Sequence, residues 1–273
     1  MDAETPKAAE LSLPQAFLLL ATNDLDGTPV VPVFALRTTV AGAILAELEL
    51  LGAIGLQGKH VRATGAAPPT DFQHELELIR HKSRPHTPKS WVSMLEGRAE
   101  VQRVYEGMAS RGIVEPVGEK HLGLFKSMRY REKDHGPEAA LLQTIEAALS
   151  GAPSEPEKPE AKAPDTAVPD AMAVDTAAPD AALPDTAAPD AALPEPQASD
   201  AKTPESKAPV AKVPDARTTA LIALLHAAGL FGKLFPTADR TRAGELAKDY
   251  WPSRAVEDEL RMIRLAQEEA ATL

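Results

Sequence analysis

The chain has 273 residues and no cysteine, which removes disulfides and thiolate chemistry. Its formal net charge of −11 is unevenly placed. Residues 1–150 carry 16 Lys+Arg against 19 Asp+Glu, 151–216 carry 5 against 13, and 217–273 carry 8 against 8. The acidity belongs to one segment, so it does not exclude an anionic partner for the rest.

The N-terminal "MDAETPKAAELSLPQAF" is acidic and lacks a basic n-region, so it does not read as a signal peptide. Residues 1–9 are expected to be disordered. From Ser12, a cap residue, "SLPQAFLLLATND" reads as a helix with Pro14 in its first turn. "DLDGTP" is a turn. "TTVAGAILAELELLG" spaces Val40, Ile44, Leu45, Leu48 and Leu51 as one helical face, and Gly52 stops it. "AIGLQGKHVRATG" reads as a small hairpin turning at Gln57-Gly58.

Further helices are expected from Thr70 or Asp71, from Thr87 as cap with Pro88 first, and through "AEVQRVYEGMASRG" to a stop at Gly112. "KHLGLFKSMRYREKD" (120–134) then mixes Leu122, Leu124 and Phe125 with Lys120, Lys126, Arg129, Arg131 and Lys133. It reads as a strand pair carrying apolar and basic residues near its turn. "GPEAALLQTIEAALSG" begins another helix. The following "APDTAVPDAMAVDTAAPDAALPDTAAPDAALPEP" repeats Pro-Asp about every five residues. Proline at that density removes donors and fixes φ, and Ala, Asp and Thr build no core. Residues 151–213 are therefore expected to be a disordered Pro/Ala/Asp-rich insertion.

Beyond it, "RTTALIALLHAAGLFGKLFP" is apolar almost all round, as helices at the centre of a bundle are. His226 within it reads as a hydrogen-bonded core residue. "DRTRAGELAKDYW" and "SRAVEDELRMIRLAQEEAA", the second capped by Ser253, read as amphipathic helices. The class is mainly α: a central helical bundle with surrounding amphipathic helices and one or two short β-hairpins. Residues 217–273 supply too few neighbours to cover an apolar helix alone. Residues 10–150 and 214–273 are thus expected to make a single domain, with the insertion as a long loop.

The search for chemistry yields no candidate catalytic residue. "HELEL" at 74–78 lacks the second His of a zinc protease helix, and no glycine-rich phosphate loop or nucleophile elbow appears. No enzyme activity, cofactor or metal is expected. The basic window "RHKSRPHTPKS" (80–90) reads as a solvated loop. Lys59, His60 and Arg62 could form the wing of a nucleic-acid module, but the helix before them has no base between Thr38 and Leu51, so nucleic acid is not expected as a partner. The 120–134 stretch is open between packing on its own chain, self-association and contact with an anionic membrane. At a membrane, apolar burial and charge add to give reversible binding.

In order and spacing the elements resemble the Golgi phosphoprotein 3 family, in the form found in bacteria. "LSLPQAFLLLATNDLDG", "AGAILAELELLGAIGLQGKHVRATG", "MASRGIV" with "EKHLGLFKSMRY", and "TTALIALLHAAGLFGKLFP" carry the likeness. The resemblance implies a helical bundle with a membrane-contacting hairpin that also mediates self-association. It implies a peripheral adaptor at the cytoplasmic face of a membrane, with phosphatidylinositol 4-phosphate and membrane-protein cargo as partners in eukaryotic members. It places the hairpin contacts at Leu122, Leu124, Phe125, Lys126, Arg129 and Arg131. For the headgroup it places Arg98 at the first of two arginines spaced three apart, while Val101 stands at the second and Ala41 near the second-helix arginine. No Trp precedes Ala41, only Pro32 and Phe34. Arg103 and Arg37 are the nearby bases offered in place of those missing.

Overall fold

A computed structural model describes residues 11–65, 67–117, 129–150 and 214–271. The expected disordered stretches 1–9 and 151–213 lie outside the described residues, as do Leu122, Leu124, Phe125 and Lys126. Among the described residues are ten helices and two two-stranded antiparallel sheets, the mainly α class expected from sequence.

The first half is punctuated largely as its caps and glycines dictate. Helix α1 (Leu13–Leu20) has Pro14 in its first turn, and the Gln15 side chain accepts the Ser12 N–H at 3.1 Å. Helix α2 (Val33–Leu50) begins seven residues before Val40, the first residue of the apolar face read from sequence, and directly after Pro32. Its first turn is partly exposed, with Val33 52% accessible, so periodicity does not reveal it. It ends at Gly52, whose φ of +67° closes the last turn. Strands β1 (Ile54–Gln57) and β2 (His60–Ala63) pair with Gln57 opposite His60, and Gly58 (φ +61°) makes the turn.

Helix α3 (Gln73–His81) starts two or three residues later than its Thr-Asp signal suggested. Helix α4 (Pro88–Leu95) is capped by Thr87, whose hydroxyl accepts the Ser90 N–H at 3.3 Å. Helix α5 (Arg98–Ser110) stops before Gly112, φ +74°. Strands β3 (Val114–Val117) and β4 (Arg129–Glu132) then pair, and helix α6 (Gly136–Ser150) follows.

After the insertion come α7 (Ala216–Ala227), the one-turn α8 (Phe231–Leu234), α9 (Arg240–Ala247) and α10 (Trp251–Ala271). Helix α7 packs on α1, α2, α9 and α10, and α10 lies along α2 and α4. The described residues on both sides of the insertion thus share one compact unit. Burial explains this. Leu221, Ile222, Leu224 and Leu225 of α7 are buried, at roughly 1.5–3 kcal/mol each. The seam between α2 and α10 is close: a Cβ added at Gly42 would come within 2.1 Å of Val256 Cγ2.

One ion pair ties the returning chain to this core. Arg217, in the first turn of α7, donates from Nη1 and Nη2 to both carboxylate oxygens of Glu47 on α2, each at 2.8 Å. Nη1 also donates to the Leu11 carbonyl at 3.0 Å, and the Leu13 N–H donates to Glu47 Oε2 at 2.7 Å. A buried carboxylate is thereby given three donors.

Two details differ from the sequence reading. His226 is not a core residue. Its ring is exposed in the last turn of α7, 3.6 Å from Glu257 of α10. Ser253 does not cap α10, which starts at Trp251. Ser253 is buried inside the first turn and donates to the Tyr250 carbonyl at 2.9 Å.

Candidate functional site

The surface singled out by sequence is built on β3 and β4. Val114 pairs with Glu132, Glu115 with Arg131, Pro116 with Tyr130 and Val117 with Arg129, so these strands flank residues 118–128. Side chains alternate across the pleat. Arg129 and Arg131 are exposed, whereas Tyr130 and Glu132 are buried. Arg131 Nε donates to Glu115 Oε1 at 2.5 Å across the pair.

The buried face fastens the hairpin to the bundle. The Tyr130 ring stacks on Tyr105 of α5, with centroids 4.8 Å apart and planes 6° from parallel. Gln102 Nε2 donates to the Tyr130 hydroxyl at 2.6 Å. The Tyr105 and Thr22 hydroxyls are 2.6 Å apart. Thr22 Oγ1 gives its own hydrogen to the Leu18 carbonyl at 2.6 Å, so Tyr105 is the donor between them. Burial pushes the Tyr105 hydroxyl up to about 12 and raises Tyr130 as well.

The turn between α1 and α2 is held against the same strand. Gly27 has φ +67°, and a Cβ there would lie 2.7 Å from the Tyr130 carbonyl oxygen. Only glycine suits both demands. Within this turn Asp26 accepts from the Thr28 hydroxyl and N–H. These bonds, and less strongly Arg129, hold its carboxyl below the ordinary range. Leu25, on the same turn, is 85% exposed. It is a large apolar residue beside the hairpin that sequence reasoning passed over, because it lies inside a turn signal.

Of the three bases offered for a headgroup, Arg103 lines a cavity that Arg98 and Arg37 do not. Arg98 opens α5 and is exposed. Val101 shares its face and packs on the core. Arg103, five residues on, points about 140° away around the helix axis. Its guanidinium is engaged by Glu75, a buried carboxylate on α3, and lies 3.5 Å from Glu100. Arg37, on α2, acts on Glu96, which accepts the Thr38 hydroxyl at 2.7 Å. Burial raises the Glu96 carboxyl, and Thr38 and Arg37 only partly oppose it.

A cavity of about 150 Å³ is lined by Arg103, Glu75, Asp71 and Gln15, and by neither Arg98 nor Arg37. An adjoining one of about 400 Å³ shares Gln15, Asp71 and Arg111 and reaches Arg217. The arginines along this groove are matched by acids: Arg103 with Glu75, Arg111 with Asp71 at 3.2 Å, and Arg217 with Glu47. Each arginine along it thus already faces a carboxylate.

Among the described residues, one set of side chains with metal-ligating atoms lies at the foot of the hairpin. Asp24, Glu132, His135 and Glu138 each bring one such atom into a group whose members are all within 4.8 Å of one another. His135 Nδ1 is 2.5 Å from Glu132 Oε2 and 3.9 Å from Asp24 Oδ2. Partial burial, with Asp24 and Glu132 nearby, pushes the Glu138 carboxyl up to about 8. Sequence reading missed this set. Three members recur at intervals of three in "EKDHGPE" (132–138), a signal that could have found them, but Asp24 is more than a hundred residues away.

No helix among the described residues is long and apolar enough to cross a membrane. A scan against family models matches residues 13–263 to the family described as Golgi phosphoprotein 3 (GPP34). No curated protein matches the chain.

Proposed function

The chain belongs to the Golgi phosphoprotein 3 (GPP34) family, and from that premise we propose that it is a non-catalytic peripheral adaptor that docks on the cytoplasmic face of an anionic membrane through its β3–β4 hairpin. The observation that carries the proposal is the division of the hairpin's two faces. Tyr130 and Glu132 are held by the bundle, while Arg129 and Arg131 are left outward. In sequence, the residues between the strands supply Leu122, Leu124, Phe125 and Lys126. Leu25 adds an exposed apolar side chain from the neighbouring turn. Bases near an anionic leaflet contribute about 1 kcal/mol each and buried large side chains roughly 1.5–3 kcal/mol each. The sum gives reversible docking.

For the lipid itself we propose a general anionic preference, to which phosphatidylinositol 4-phosphate contributes mainly its charge. Val101 and Ala41 stand where the family's headgroup arginines are expected, and Arg103 is committed to Glu75. Arg98 and Arg37 are the bases left to meet a headgroup. Docked in this way, the protein would hold a membrane-protein cargo through another face.

Vesicle co-flotation tests the proposal. The protein should float with phosphatidylserine vesicles and with phosphatidylinositol 4-phosphate vesicles of equal charge, and not with phosphatidylcholine alone. Leu124→Asp with Phe125→Asp should abolish flotation while leaving the helical circular dichroism unchanged. Undiminished flotation of the folded double variant would overturn the hairpin as the docking element. Flotation with the phosphoinositide alone would overturn the general preference. A dimer in solution that dissociates on removal of residues 122–130, with no flotation under any condition, would make the hairpin a contact between copies of the chain.

A further inference from the structure

We propose that the free edge of β1 is a docking strand for an extended peptide of alternating acidic and large apolar residues. The inference gives the cargo of the proposed function a face and a chemistry, and rests on that reading only for the source of the peptide.

The edge follows from the register. The Val61 N–H donates to the His86 carbonyl at 2.9 Å, on the side of β2 away from β1. Val61 and its partner Leu56 therefore form a non-hydrogen-bonded pair, and the Leu56 N–H and carbonyl point outward from β1. No strand lies on that side among the described residues. Natural edges are guarded by charge, proline or a bulge. Ile54–Gln57 has none of these, and Leu56 is 42% exposed. Backbone groups and an apolar side chain are thus offered together, as strand addition requires.

The charge around the edge selects the occupant. The Val61–His86 bridge joins two windows that read separately in sequence. It brings Lys82 and Arg84, from the loop after α3, alongside the hairpin that carries Lys59 and Arg62. All four bases are exposed, and none has an ion-pair partner among the described residues. Residues 51–65 and 80–90 contain no acid, and the nearby Glu77 is taken by Arg80 and His81. A strand added to β1 would lie about 10 Å from β2, within reach of Arg62, while Lys82 and Arg84 act on it from farther out. Its side chains would alternate as those of β1 do. On the face of Arg62 they pass Gly55, where a Cβ would meet nothing within 4 Å, so acids there find the guanidinium. On the other face they lie beside Leu56. A second copy of the chain, edge to edge, would set these bases against their own kind. A nucleic acid would leave the open backbone unused, and neither window holds a Phe, Tyr or Trp for stacking. The edge is also clear of β4. The turn held against Tyr130 precedes α2 and β1 follows it, with 18 residues of helix, about 27 Å, between.

The test is fluorescence anisotropy of a labelled peptide of alternating glutamate and valine, titrated with full-length protein. Flotation on phosphatidylserine vesicles is measured in parallel. Saturable binding is expected, at least about fivefold weaker at 200 mM salt than at about 50 mM. The same residues in two blocks should bind at least about tenfold less tightly. So should the alternating peptide N-methylated along its backbone, which removes the hydrogens that an added strand must give. Lys59→Glu with Arg62→Glu should weaken binding at least about tenfold, and Lys82→Glu with Arg84→Glu about threefold, with flotation retained in both. Equal binding of the blocked or the N-methylated peptide would overturn strand addition. Tighter binding of single-stranded oligothymidylate than of the peptide would assign the surface to nucleic acid and overturn the proposal. Loss of flotation in Lys59→Glu with Arg62→Glu would assign it to the membrane, with the same consequence. Absence of peptide binding by protein that still floats would overturn this inference alone and leave the docking reading standing.

Discussion

Replacing Arg217 with Ala should destabilise the protein by about 2–3 kcal/mol, and the reasoning can be followed atom by atom. Glu47, with 7% of its side chain accessible, receives two bonds from Arg217 and one from the Leu13 N–H. The variant leaves its charge buried with one donor. Breaking a fully buried pair in this way costs about 3–5 kcal/mol. Arg217 keeps 34% of its side chain exposed, so water screens part of the loss and the lower figure applies. The same substitution frees the Leu11 carbonyl. Urea denaturation followed by circular dichroism measures the change, which should appear in the midpoint and not in the slope. Glu47→Gln on the Arg217→Ala background should recover about 1 kcal/mol, because an amide still accepts from Leu13 without leaving a charge. A loss below about 0.5 kcal/mol for Arg217→Ala would refute the argument that this pair locks the returning chain onto α2.

Gly42→Ala should cost about 1–2 kcal/mol. Overpacking against the stiff Val256 outweighs the helix propensity gained. In a Val256→Ala background the same substitution should become stabilising, and melting temperatures of the four proteins decide it. Shortening residues 151–213 to about 20 flexible residues should leave the helical spectrum intact and raise stability by about 1 kcal/mol from loop closure alone. A loss of folding would mean that the segment is part of the domain. Tyr105 sets an alkaline limit. The unfolded chain loses this proton near pH 10 and the folded one near 12. Above pH 10 the unfolded state therefore binds fewer protons, and stability falls as pH rises. About 2 kcal/mol is lost by pH 12, and Tyr105→Phe should flatten that part of the denaturation midpoint against pH.

The fold was legible where local chemistry decided it. Thr87 with Pro88, Gly52, Gly58 and Gly112 each announce a boundary that the backbone then adopts. The start of α2 was not legible, because Val33 sits on an exposed turn and only Pro32 marks the place. Nor was the environment of His226. Seven of the nine residues from Leu221 to Gly229 are apolar, but the helix ends there and one side of its last turn meets solvent. The candidate site was legible as a pattern of bases. Whether a base is committed depends on partners far along the chain. Arg103 meets Glu75 from 28 residues away, and Arg217 meets Glu47 from 170. Nothing in a local window distinguishes these arginines from Arg98.

The docking reading rests on one strand, β4. Successive residues of β4 alternate between Arg129 and Arg131, turned outward, and Tyr130 and Glu132, turned inward. The inward pair has two kinds of support. Tyr130 is fixed by stacking on Tyr105, itself bonded through Thr22 to the Leu18 carbonyl, and by the Gln102 amide, all of it neutral below pH 10. Glu132 is fixed by the His135 imidazole and by a hydrogen bond with Glu138, with Asp24 close by. The first support is insensitive to ions and the second is not. Charging or neutralising the cluster therefore acts on one end of the strand while the other stays anchored.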